Sequence, residues 1–178
     1  VYGVSERYLN VYGEKDLRAQ MNQFFHRTYT HPVDGTTLDM KMLCNWYWYD
    51  ETAILETGKG TKDWNFYRYA ETLLSAAEAI AQSSGVNAEA AGYLAQVKAR
   101  ANMEGKDVST IASELQRLGK QAFIEECWKE RLREFPLEMK IWDDCVRTGK
   151  FPQISATNKG EVQFVDLIGA TNGSGAKF

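Results

Sequence analysis

Two different hydrophobic periods divide the chain. Residues 38–49 alternate: Leu38, Met40, Met42, Cys44, Trp46 and Trp48 fall on one side, and Asp39, Lys41, Leu43, Asn45, Tyr47 and Tyr49 on the other. A period of two is that of a half-buried strand, so this segment is expected to be extended with its methionine-rich side inward. Residues 23–29 read as a further strand, followed by the turn His31-Pro32-Val33-Asp34-Gly35. Residues 52–57 are expected to pair with 38–49, residues 58–63 to form an exposed loop, and residues 16–21 a short helical turn.

From residue 66 the period becomes helical. Phe66, Tyr69, Leu73, Ala76 and Ile80 recur at three- and four-residue spacing, flanked by Ala70, Leu74 and Ala77. Gly85 is placed to end this helix and Asn87 to cap a second, with the stripe Ala90, Tyr93, Leu94, Val97 and Ala101. Small residues on both faces allow close approach, which predicts a helical hairpin over 66–103. A long helix is expected from Thr110 or Ser113 to about Phe135. Its stripe is Leu118, Ala122, Ile124, Cys127, Trp128 and Leu132, and Glu126, Lys129, Glu130, Arg133 and Glu134 would pair on its surface. A further helix over 137–148 would turn Met139, Ile141, Trp142 and Cys145 inward and stop at Gly149, with Pro152 beyond. The remainder shows one strand, 162–165, and a flexible glycine-bearing stretch over 169–175. The resulting organisation is mostly α: a strand-and-loop region 1–62, a helical region 63–152 and an irregular tail 153–178.

With 178 residues, 44% hydrophobic and 25% charged, the chain can bury a core and is not a disordered polymer. A net charge of −3 offers no basic surface for nucleic-acid phosphates, so no nucleic-acid partner is expected. No apolar run approaches membrane-span length, and no basic segment followed by an apolar one marks a signal peptide. Cys44, Cys127 and Cys145 lack zinc-ligand spacing. Gly58-Lys59-Gly60-Thr61 lacks the order of a phosphate loop. Asp143 and Asp144 diverge on a helix, and Glu125, Glu126 and Glu130 lack the alternating oxygen ligands of a cation loop. His26 and His31 have no nucleophile pattern beside them. Asn172-Gly173-Ser174 has the form of a glycosylation sequon. No enzyme activity, metal or cofactor is therefore expected.

Trp46-Tyr47-Trp48-Tyr49 is the feature left over. Trp46 and Trp48 continue the inward side of the strand. Tyr47 and Tyr49 share the polar side with Asn45. Flat rings beside hydrogen-bonding groups suit a sugar, whose C–H face stacks while its hydroxyls bond. The candidate ligand-binding set is Tyr47, Tyr49, Asn45 and Trp48.

An ordered series of motifs carries a resemblance. Arg68-Tyr69-Ala70-Glu71-Thr72-Leu73-Leu74-Ser75-Ala76-Ala77-Glu78-Ala79 is followed by Val97-Lys98-Ala99-Arg100-Ala101, by Glu130-Arg131-Leu132-Arg133-Glu134-Phe135, and by Glu138, Trp142, Asp144, Arg147 and Gly149. Upstream lies Asp16-Leu17-Arg18. Over 16–152 this resembles the SusD/RagB family of Bacteroidetes nutrient-binding lipoproteins. Met139, Ile141 and Cys145 stand where that pattern has Gly, Arg and Leu. The resemblance implies the C-terminal portion of a longer SusD-like protein, with 66–103 as a tetratricopeptide-like hairpin. It also implies non-catalytic capture of a glycan or other nutrient, a SusC-like TonB-dependent transporter as partner, and an outward-facing place on the outer membrane through a lipid anchor in a missing N-terminus. The rival is a tetratricopeptide-type scaffold that binds a peptide or protein.

Overall fold

A computed structural model describes residues 3–172 and 175–178. Gly173 and Ser174 of the sequon lie outside the described residues. The helices are α1 (Tyr69–Ser84), α2 (Ala88–Ala99), α3 (Val108–Leu115), α4 (Lys120–Glu134) and α5 (Ile141–Thr148). Strands β1 (Gly3–Val4), β2 (Phe25–Thr30) and β3 (Thr37–Asn45) form an antiparallel sheet in the order β1-β3-β2. Strands β4 (Lys150–Ile154) and β5 (Val162–Asp166) form a second antiparallel pair. No described helix is long and apolar enough to cross a membrane.

The expected hairpin is present as α1 and α2. Gly85 takes φ +82° and donates its N–H to Ala81 O at 3.1 Å. Asn87 Oδ1 accepts the Ala90 N–H at 2.9 Å. Ala70, Leu73, Leu74, Ala77 and Ala81 pack with Ala90, Leu94 and Val97, and α3 and α4 cover them with Ile111, Leu115, Phe123 and Cys127. The buried face of α1 is rotated from the expected one, leaving Phe66 and Tyr69 exposed. Phe66 precedes the helix. The rotation also carries Glu71 and Glu78 inward to cationic partners, Lys140 and Arg147.

The long helix expected after Gly105 is two helices. Asp107, rather than Thr110 or Ser113, caps α3 by accepting the Thr110 N–H at 2.8 Å. The chain extends at Gly119, which opens α4, so Phe123 is buried and Ala122 exposed.

The alternation of 38–49 does not survive as one strand. Thr28 pairs with Asp39 but His26 pairs with Cys44, so four residues of β3 lie opposite Arg27 alone. This bulge is built on Lys41, whose φ is +58° and whose N–H bonds Asp39 Oδ1 at 2.9 Å. The side chains beyond it change sides. Leu43, assigned outward, is buried, and Leu38 and Met42, assigned inward, are exposed. Leu43 joins Val11, Tyr12, Phe25, Leu132 and Val162 in a second core. Tyr8 and Tyr12 fasten this core to α4, donating their hydroxyls to Leu132 O at 2.6 Å and Arg133 O at 2.9 Å, carbonyls in the helix's last turn. Strand β4 was not legible because Pro152 sits in it. A two-stranded ribbon has free edges that tolerate proline.

The charges of α4, expected on its surface, are buried instead. Glu130 is 0% exposed, and Arg131, Arg133 and Glu134 are buried beside it. Arg18 Nη1 lies 2.8 Å from Glu130 and 3.0 Å from Glu134, and Arg18 also pairs with Asp16 at 2.7 Å. Arg133 reaches Glu126 at 2.9 Å and Glu130 at 3.1 Å. Arg68 bridges Glu134 and Glu138, while Arg100 adds a further cation on Glu134. A second string runs from Glu71 through Arg131 to Asp144 and Arg147 and on to Glu78. Most of these pairs join segments far apart in sequence, and the buried charges among them are offset by opposite ones.

Candidate functional site

Asn45 closes β3 and starts the site. Its Oδ1 accepts the Tyr47 N–H at 2.8 Å and its Nδ2 donates to Pro136 O at 2.8 Å. The buried amide is thereby committed to holding a 3-10 turn, Trp46–Trp48, against the end of α4. The turn overrides the strand-based grouping of Tyr47 with Tyr49. Tyr47 lies beside Lys62 and Arg68, whose cationic groups are 5.1 and 5.7 Å from its ring centre, and its hydroxyl accepts from Asn65 Nδ2 at 2.8 Å. Tyr49 instead stacks on Trp46 at 4.4 Å and 9°, and Trp46 stacks on His26 at 3.8 Å and 14°. Trp48 donates Nε1–H to Leu137 O at 3.3 Å and meets the Trp64 ring at 4.7 Å.

Residues 52–57, expected as a strand, are helical, with a wide turn over Ala53–Thr57. Asp50 is the physical reason. Its Oδ1 accepts the Ala53 N–H at 3.3 Å, and its Oδ2 accepts the Thr61 and Lys62 N–H groups at 2.7 and 3.1 Å. These bonds curl the chain back and hold the Asp50 carboxyl below its ordinary range, the Thr61 N–H contributing most.

Between this loop, the aromatic turn and residues 137–142 lies a groove of about 820 Å³. That is within the span of ligand clefts, roughly 300–1,000 Å³. Its walls carry Trp46, Trp48, Tyr49, Trp64, Met139 and Trp142. Of the sequence candidates, Trp48 and Tyr49 face it together. Asn45 borders it with its amide engaged, and Tyr47 lines a different, smaller cavity with Arg68 and Glu138. Trp64, Met139 and Trp142 were not among the candidates. The placing of three of the five tryptophans within residues 46–64 was the one available signal. Met139 and Trp142, assigned to the interior, are exposed.

Leu137 and Met139 both take φ +60°, a left-handed conformation that costs a residue with a Cβ about 1–2 kcal/mol. They shape the floor of the groove. Met139→Gly is expected to raise stability by about 1 kcal/mol, the relief of strain exceeding the entropy cost of glycine. Thermal unfolding would show it, and a destabilised variant would refute the strain.

The sequence model of the SusD family matches residues 10–170. The chain belongs to the SusD family. The crystal structure of a SusD superfamily protein from Parabacteroides distasonis superposes on it with a TM-score of 0.79 at 26% identity. That match covers 98% of this chain and 36% of the other, so the chain spans about a third of that SusD protein's length. A comparison with curated proteins returned no match. Membership accounts for the mostly helical, SusD-like fold. It also accounts for the motifs: Arg18, Arg68, Glu71, Glu78, Glu130, Arg131, Glu134, Glu138, Asp144 and Arg147 are all members of the ion network described above.

Proposed function

We propose that the chain is the glycan-capturing part of an outer-membrane nutrient receptor, non-catalytic, which presents its ligand to a SusC-like TonB-dependent transporter. SusD membership supports the capture role, the transporter partner and attachment to the outer membrane by a lipid anchor. The observation that carries the site is the groove itself: Trp48, Tyr49, Trp64 and Trp142 gather on one cleft without a convergent nucleophile, base or metal cluster among the described residues. Exposed aromatic rings gathered in a cleft bind by stacking and burial. Asn45 and Tyr47 serve as the scaffold that sets the turn. The peptide-scaffold alternative finds less support, because the apolar faces of the α1–α2 hairpin are packed on α3 and α4.

Titration of an oligosaccharide panel by tryptophan fluorescence and calorimetry tests this reading. Trp48→Ala and Trp64→Ala are each expected to weaken binding by roughly 1–3 kcal/mol, the range of central aromatic anchors. Tyr47→Ala should instead lower stability by about 1–2 kcal/mol, because it loses the Lys62 and Arg68 contacts, with affinity little changed. Equal affinities in all three variants would move the site elsewhere.

A further inference from the structure

The groove's electrostatics discriminate among glycans. No lysine or arginine is among the described residues that line it, and its one charged lining residue is Asp50. That carboxylate already accepts three backbone N–H groups and faces any anion with a like charge. Two lysines close in the fold engage other groups. Lys62 donates to the Tyr47 and Tyr49 carbonyls and sits by the Tyr47 ring, and Lys140 donates to Phe66 O and pairs with Glu71. What the groove does offer is ring surface and indole N–H donors: Trp46, Trp64 and Trp142 make no indole hydrogen bond among the described residues.

We infer that the groove is selective for neutral pyranose chains with an exposed C–H face, such as β-linked glucans, over uronic-acid or sulfated chains. This rests on the glycan-capture reading and specifies its substrate class. A neutral sugar brings hydroxyl oxygens that accept from the indole donors and a C–H face that stacks on the rings. A uronate brings a charge that must lose its hydration beside Asp50 with no counter-cation, an unfavourable exchange. Arginine, the group that recognises a carboxylate bidentately, is absent from the lining, and Arg18, Arg68 and Arg131 are engaged in the ion network.

The test compares cellohexaose with hexagalacturonate on the full chain, by calorimetry at one ionic strength. The neutral hexamer is expected to bind at least about tenfold more tightly, and Trp64→Ala to abolish the difference by removing the neutral affinity. Ile54→Lys, at an exposed position on the groove wall, should raise the affinity for the uronate severalfold relative to cellohexaose and so narrow the difference between the two. Uronate binding as tight as the neutral binding, and lost in Trp64→Ala, would overturn the selectivity while leaving glycan capture standing. Failure of both sugars to bind, with the dye ANS taken up in a Trp64-dependent way, would overturn glycan capture itself and make the groove a docking face for protein.

Discussion

Glu130→Ala is expected to destabilise the protein by about 3–5 kcal/mol, the loss seen when one member of a buried ion pair is removed. Glu130 is fully buried, and its two oxygens face Arg18 at 2.8 Å and Arg133 at 3.1 Å, with Lys98 at 3.8 Å. Removing the carboxylate leaves Arg18 with Asp16 and Glu134, and Arg133 with Glu126 alone. Arg18, Arg133 and Lys98 each then lose one counter-charge at a fully buried position. Glu130→Gln keeps the shape and part of the hydrogen bonding, so it should cost less than Ala but well over 1 kcal/mol. The surface pairing expected from the sequence would have made that change modest. Urea unfolding of both variants decides: a loss below about 1 kcal/mol for Glu130→Ala would show that the network is hydrated and dispensable.

The difference between those two expectations shows what the sequence could and could not convey. Helical period, the Gly85 stop and the Asn87 cap are local, and all three stand in the structure. Burial of a charged helix face is not local. Glu130 looked solvated because its partners Arg18 and Lys98 lie 112 and 32 residues upstream, and only the fold brings them in. The family motifs were legible as a pattern, but their chemistry was not: the arginines and glutamates that spell them are the ion network, not a ligand site. The strand-based grouping of the aromatic residues gave way for a related reason. A period of two was read through residue 49, whereas a bulge at Lys41 and the amide of Asn45 convert its end into a turn. That change sends Tyr47 to Arg68 and leaves Tyr49 and Trp48 to line one groove with Trp64 and Trp142, residues that no short-range pattern connects.

Acid should unfold the protein through the same network. Burial alone would push the carboxyl of Glu126 up, but Lys98 and Arg133 overcome it and hold the pKa down to about 2, from 4.5. For Glu130 burial is again the largest influence, and Arg18, Lys98 and Arg133 again reverse it, so its carboxyl too lies below its ordinary range; Glu78, paired with Arg147, is lowered likewise. A carboxylate with a depressed folded pKa binds fewer protons folded than unfolded. Its stabilisation is therefore complete above the unfolded value and is lost as pH falls toward the folded one. From Glu126 alone the contribution at neutral pH is about 3 kcal/mol. Stability should thus be level above about pH 5 and fall steeply from pH 4.5 to about 2, where Glu126 finally protonates. Glu126→Gln should begin less stable and show a shallower slope across that window, because one of the titrating groups is gone. Denaturant midpoints measured every half unit of pH would check both curves. Parallel slopes in the wild-type chain and the variant would place the acid sensitivity outside Glu126, among surface carboxylates that the network does not include.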